Sequence, residues 1–293
     1  MVEKTLSYTS ALKEYLLLTK PGIVTLVLIT TLGGMYIGSK GNLEPALVFW
    51  TLLGTGLAAA GSAVINMFLD RDVDTLMERT SSRPIPRGTV NPKSALVLGV
   101  LLLAVSFVSL YLLVNPLAAL LSMVASFSYV VLYTLLLKRR TPIATEVGGI
   151  SGALPPVIGY VAGSGTLDMN AFVLFLIMFM WQPPHFWVLA LKYRDDYARA
   201  GIPTLPVVRG VLITKIKTLI YTVSLLPLSV IPYAIGMTGK LYFITALVLS
   251  LAYTAYTLRF LFSKREESMK LFFFSIFYIA VLFSMMVIDL VKT

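Results

Sequence analysis

The chain has no cysteine and a single histidine, His185. Without thiols there can be no disulfide, no thiolate nucleophile and no cysteine-ligated metal or cluster. One imidazole argues against a multi-histidine metal centre and against a serine–histidine relay with a spare base. Charge is also scarce. Asp, Glu, Lys and Arg make up 13% of 293 residues, and only 14 are acidic, whereas soluble domains carry roughly a quarter charged residues. The polar surface of a water-soluble fold is therefore missing. In its place 57% of the residues are hydrophobic and the mean hydropathy is +0.85.

Apolar runs bounded by charge fall near 20–39, 44–68, 94–114, 116–137, 143–163, 169–191, 216–236, 240–262 and 271–291. Each approaches the roughly 20 residues that cross a bilayer as a helix. The expected fold is all-α: a polytopic membrane protein of about nine transmembrane helices around a central cavity, forming one domain over residues 1–293. The net charge of +10 does not point to nucleic acid. With the N-terminus cytoplasmic, all of the 24 basic residues except Lys40, Lys240 and Lys292 fall on the inner side, as the positive-inside rule requires. The expected location is the cell membrane, with the N-terminus and both long loops, 69–93 and 192–215, in the cytoplasm. Met1 to Lys20 is polar and lacks a small-residue cleavage site, so no cleaved signal or transit peptide is expected.

The two long loops resemble each other. One carries Asn66, Asp70, Asp72 and Asp74, then Arg83-Pro-Ile-Pro-Arg-Gly88. The other carries Tyr193-Arg-Asp195-Asp196-Tyr197, then Ile202 to Gly210. Each follows an even-numbered span, which suggests a weak internal repeat of helices 1–4 and 5–8 with the site at their interface. Asn66, Asp70 and Asp74 are spaced i, i+4, i+8 and share one helix face. Oxygen ligands stacked in this way favour a hard cation such as Mg²⁺, which completes its shell with water and phosphate. Asp72 lies on the opposite side of the helix. Asp195 and Asp196 are the candidate second half of the metal site. Six of the 14 acidic residues sit in these two loops, and ionisable clusters at membrane depth mark function more often than boundary.

Arg79, Arg83, Lys138, Arg139 and Arg194 stand beside the acids and could grip phosphate oxygens, although basic residues there also serve as inner-side anchors. Trp181-Gln-Pro-Pro-His185-Phe-Trp187 is expected to interrupt the sixth span, and broken spans line cavities. His185 could ligate, contact or deprotonate a substrate there. Trp181, Phe186, Trp187, Tyr193, Tyr197, Tyr129 and Tyr133 could stabilise a cation through their π faces, with interfacial belt residues as the competing account. Gly148, Gly149, Gly152, Gly159 and Pro155-Pro156 read as close helix packing with a kink. Glu146 has no explanation in the sequence.

These motifs together resemble the UbiA superfamily of intramembrane prenyltransferases. Asn66 to Gly88, Lys138 to Gly159, Trp181 to Trp187 and Tyr193 to Val208 are similar in particular to its haem-specific branch, in the right order over nearly the whole chain. The resemblance implies a nine-helix fold with the cavity under cytoplasmic loops. It also implies Mg²⁺ as cofactor, farnesyl diphosphate and haem b as substrates, haem O and diphosphate as products, and haem-handling or oxidase-assembly proteins as partners. Asn66, Asp70 and Asp74 would be the first metal motif, with Asp195 and Asp196 what remains of the second. In two places the sequence departs from the superfamily pattern. Tyr193 and Tyr197 stand where the second motif usually has aspartates, and Tyr133 and Lys138 are five residues apart instead of four. The rival readings are a quinone or aromatic-acid prenyltransferase and, from another class, a cation-coupled transporter.

Overall fold

The computed structural model describes residues 8–292; Glu3 and Lys4 of the polar N-terminal stretch lie outside the described residues. Twelve helical elements follow one another among them: α1 (Tyr8–Leu18), α2 (Pro21–Gly38), α3 (Pro45–Leu69), α4 (Arg71–Asp74), α5 (Pro92–Leu113), α6 (Pro116–Phe127, continued as a π-helix over Ser128–Leu137), α7 (Ala144–Ser164), α8 (Met169–Lys192), α9 (Arg194–Arg199), α10 (Leu205–Ala234), α11 (Lys240–Leu261) and α12 (Met269–Ile288). Proline opens α2, α3, α5 and α6, a position where its missing N–H costs nothing.

Among the described residues, eight helices are long and apolar enough to cross a membrane: α2, α3, α5, α6 with its π-helical half, α8, α10, α11 and α12. This is a multi-pass membrane protein. The fifth expected span is present as α7, which has 21 residues but is not among the eight. The reason lies in its surroundings. From Ala153 to Ala162 every residue of α7 is buried, because α2, α6 and α8 enclose it. A helix surrounded by protein does not need the apolar surface that lipid demands of its neighbours.

The packing of α2 on α7 is backbone against backbone. A Cβ on Gly34 would collide with the Pro156 carbonyl, and one on Gly159 with the Thr31 carbonyl. Larger side chains at these two positions would force the helices apart. The expected interruption at Pro183-Pro184 does not occur, since α8 runs through both prolines. Two side chains just before the pair brace it against two neighbouring helices: Trp181 Nε1 donates to the Ser275 carbonyl (2.8 Å) on α12, and Gln182 Nε2 to the Gly149 carbonyl (3.2 Å) on α7. The seventh span starts earlier than expected. A short helix from Leu205 ends at Gly210 (φ 75°, ψ 177°), a backbone that only glycine adopts readily, and the span follows directly after it.

Candidate active site

The end of α3 continues helically through its cap. The Asp70 amide donates to the Asn66 carbonyl (2.9 Å) and the Asp74 amide to the Asp70 carbonyl (2.8 Å). Asn66, Asp70 and Asp74 therefore line up along one face, and all three are buried. Asp72 points the other way, with its side chain 63% exposed. There it takes both guanidinium N–H groups of Arg139 at 2.7 Å. That contact, ahead of all others, pulls its pKa from 3.8 down to about 2.

Each buried acid meets a cation. Lys138 Nζ lies 2.5 Å from Asp70 Oδ2, and Arg83 Nη1 lies 2.6 Å from Asp74 Oδ2. Asn66 Nδ2 donates to Asp70 Oδ2 (2.8 Å) and to Thr134 Oγ1 (3.0 Å), while Asn66 Oδ1 accepts from Lys20 Nζ (2.7 Å). Lys20 is a residue the sequence reading assigned only to membrane orientation. Its backbone is left-handed (φ 52°, ψ 64°) just before Pro21, a strained conformation for a non-glycine residue, and its ammonium reaches the first motif. Its position ahead of a proline at the start of a span was the available signal.

The π-helix accounts for the five-residue spacing. Lys138 N donates to the Tyr133 carbonyl (2.8 Å), an i+5 bond, so residues five apart keep the same face. Thr134 Oγ1 likewise donates to the Tyr129 carbonyl five residues back (2.8 Å). Tyr133 and Lys138 line a small internal space with Phe186 and Tyr197. Tyr133 also stacks on Tyr129, with ring centroids 5.7 Å apart.

The two acidic loops meet through Arg79. It donates to Tyr197 Oη (3.1 Å) and lies over the rings of Tyr193 (4.9 Å) and Tyr197 (5.6 Å). Val73 and Met77 from the first loop pack with Ala190, Tyr197, Ala200 and Ile202 around the second. A cleft of about 580 Å³ opens there, lined by Glu78, Arg79, Lys192, Tyr193, Asp195, Asp196 and Arg199. Asp196 is buried and paired with Arg199. The Asp195 side chain is 82% exposed and faces Arg194, which also reaches Glu266 at 3.4 Å. Asp195 and Arg194 thus sit on the outer rim. Among the described residues, no three Asp, Glu or His groups converge closely enough to hold a metal. The basic side chains fill the space between the acids.

Deeper along α8, His185 is stacked between Trp181 and Phe272, each 4.6 Å away. Its Nδ1 lies 2.7 Å from Ser275 Oγ, and Ser275 gives its own proton to the Phe272 carbonyl (2.6 Å). Ser275 can then only accept from the ring, which leaves the Nε2 lone pair unshared. Glu146 also finds a role: its Oε1 accepts from Lys217 Nζ (2.8 Å), tying the start of α7 to α10. Lys217 in turn lies 5.4 Å over the buried Trp187 ring, so Trp187 is a packing element here.

Buried acids facing a ring of lysine and arginine, beneath a cleft between two matched loops, form a site for an anion held jointly with a cation. The UbiA prenyltransferase family matches residues 27–282. The chain belongs to that family. A UbiA relative named protoheme IX farnesyltransferase, from Aquifex aeolicus (strain VF5), is 66% identical over 292 residues, covering both chains fully. A solved structure of digeranylgeranylglyceryl phosphate synthase has a TM-score of 0.82 at 21% identity, covering 97% of this chain and 99% of that one. A UbiA homologue from Archaeoglobus fulgidus, solved with DMAPP and Mg²⁺, has a TM-score of 0.66 at 20% identity, covering 93% and 99%. Both structures share the UbiA fold with this chain.

Proposed function

We propose that this chain transfers the farnesyl group of farnesyl diphosphate to a vinyl group of haem b, with addition of water, giving haem O and diphosphate. The observation that carries the reading is the full-length similarity, at 66% identity, to a protein of that named activity. The site chemistry supports it. Asp70 Oδ1 is buried and accepts no hydrogen bond, which suits a hard cation, and the UbiA homologue holding DMAPP with Mg²⁺ is in keeping with that cation being Mg²⁺. Asn66, Asp70 and Asp74 would hold the ion, and Asp196, buried in the second loop beside the cleft, is the candidate on the other side. When bound, Mg²⁺ neutralises charge on the departing diphosphate and so lowers the barrier to allylic ionisation.

The chain's own groups do the rest. Lys20, Arg83 and Lys138 already lie against Asn66, Asp74 and Asp70 and offer donors to phosphate oxygens as these arrive. Arg79 holds the two loops closed over the cleft, and Arg139 fixes the end of α3 through Asp72 and the Leu69 carbonyl. Tyr129, Tyr133, Tyr197 and Phe186 present π faces to a developing allylic cation. Apolar helices keep bulk water from it. His185, with Nε2 free, faces the haem as an iron ligand or as a proton acceptor. The two halves of the chain form a single catalytic unit in the cell membrane, with the site on the cytoplasmic side.

The test uses purified protein in nanodiscs with farnesyl diphosphate, Mg²⁺ and either haem b or 4-hydroxybenzoate, read by mass spectrometry. Haem O formed from haem b alone is the expected result. Prenylation of the aromatic acid in its place, or no release of diphosphate with either acceptor, would overturn the reading.

A further inference from the structure

Resting on that reaction, we propose that a seam of buried hydroxyls between α3 and α6 holds a file of water and supplies the one water the reaction consumes. The bookkeeping of the step sets the need. The farnesyl C1–O bond breaks and its electron pair leaves with diphosphate. The terminal vinyl carbon then bonds to C1, leaving a cation on the carbon attached to the porphyrin. A water oxygen closes on that carbon, and its surplus proton goes to diphosphate. If water is late, the same cation loses a proton from the neighbouring CH₂, giving an alkene lighter than haem O by one water. A site that excludes bulk water must therefore still deliver a single molecule of it.

The helical hydroxyls of this protein are satisfied in several ways, and a few, Thr254 on α11 among them, are buried without a partner. Thr25, Thr31, Thr218 and Thr257 each donate to the carbonyl four residues back, the usual way to satisfy such a group inside an apolar bundle. On α3, Thr51, Thr55 and Ser62 make no hydrogen bond although they are 0%, 2% and 5% exposed, and neither does Ser128 on α6 at 2%. At 3.6 residues per turn, Thr51, Thr55, Ser62, Asn66 and Asp70 fall within about 100° of one another around α3. The stripe is set apart from the face that packs on α5, where Gly54 meets Leu110 and Gly61 meets Gly99. It runs straight into the acidic motif.

Ser128 completes the seam from the facing helix. The Asn66–Thr134 hydrogen bond pins the two helices together at one level. Ser62 lies one turn before Asn66, and Ser128 six residues before Thr134, one beyond the wide turn that begins at Tyr129, so these two unpaired hydroxyls stand at similar depth. One helical turn is about 5.4 Å, close to twice a hydrogen-bond length of about 2.8 Å. By that spacing one water would bridge Thr51 to Thr55, and another Ser62 to Asn66. A farnesyl chain could not satisfy these groups. Buried water, which seeks two to four polar partners, can.

The test compares wild-type protein with Thr55→Val, Ser62→Ala and the double variant, with Thr25→Val as a control outside the seam. Each change at the seam removes a hydroxyl that has no protein partner, so folding is not put at risk. Haem products are separated by mass. The ratio of alkene to haem O is measured within each sample, which makes it independent of overall rate. The expected result is a several-fold rise in that ratio for each single variant, a larger rise for the double variant, and none for Thr25→Val. An unchanged ratio in the double variant overturns the proposal, as does a loss of all haem products without alkene. A wild-type protein that forms neither haem product overturns the functional reading instead.

Discussion

Asp70 and Asp72 are two residues apart and chemically identical, yet the structure gives them opposite roles. Replacing each with asparagine keeps the volume and removes the charge. At position 70 the change leaves Lys138, whose side chain is only 14% exposed, without the carboxylate it meets at 2.5 Å. Breaking a buried pair from one side costs about 3–5 kcal/mol, and the remaining exposure of Lys138 puts the expected loss near the lower end. At position 72 the partner is Arg139, and both side chains are substantially exposed at 36% and 63%. Exposed pairs are worth at most about 1 kcal/mol. The contrast should be sharper for turnover, because removing a preorganised charge at a reacting centre typically costs roughly 10²–10³ in rate. Asp70→Asn is expected to lower haem O formation by at least about 10², and Asp72→Asn by no more than about fivefold. The assay is haem O produced per unit of nanodisc-embedded protein, with thermal unfolding followed in parallel. Equal losses in the two variants, or a greater loss from Asp72→Asn, would refute the assignment of the buried face to the chemistry.

Three further outcomes follow from the same geometry. A Cβ on Gly148 would lie 2.7 Å from Tyr133 Cδ2, so Gly148→Ala should push the tyrosine ring aside and slow farnesyl transfer while the protein still inserts, as seen by comparing turnover with membrane-extracted yield. Arg79→Ala removes a side chain that both hydrogen-bonds Tyr197 and covers Tyr193, and should make the loops more susceptible to chymotrypsin, which does not cut at arginine; an unchanged digestion pattern would count against Arg79 as the link. Because the folded pKa of Asp72 (about 2) is below its ordinary 3.8, its contribution to stability is complete above pH 4 and fades as pH falls toward 2. Discounted for exposure, this amounts to under about 1 kcal/mol, and Asp72→Asn should remove it from the acid limb of a thermal-stability profile.

Much of this architecture was readable in the sequence because membranes impose simple rules. Hydropathy and the sorting of lysine and arginine located the helices, and the i, i+4, i+8 spacing placed Asp72 opposite Asn66, Asp70 and Asp74. What escaped has a physical cause in each case. The lower apolarity of α7 reflects burial by three neighbours, and a linear reading cannot tell protein from lipid as the surrounding medium. Pro183-Pro184 suggested a break, but the bonds of Trp181 and Gln182 to neighbouring helices hold α8 together. The partners of the buried acids lie far away along the chain: Lys138 is 68 residues from Asp70, and Lys20 is 46 from Asn66. No local period encodes such pairings.

The wide turn in α6 makes the chemistry of the site depend on counting. Between Ser128 and Leu137 each turn of the helix holds nearly one residue more than an ordinary coil would. Deleting a single residue there would let one turn tighten to the ordinary coil, in which residues four apart share a face, and Lys138 would still meet Asp70. Substitutions that force the ordinary coil while keeping every residue would instead turn Lys138 about 100° away, like a key in its lock. Such changes, which spare every polar side chain, would disarm the protein as thoroughly as the loss of an aspartate.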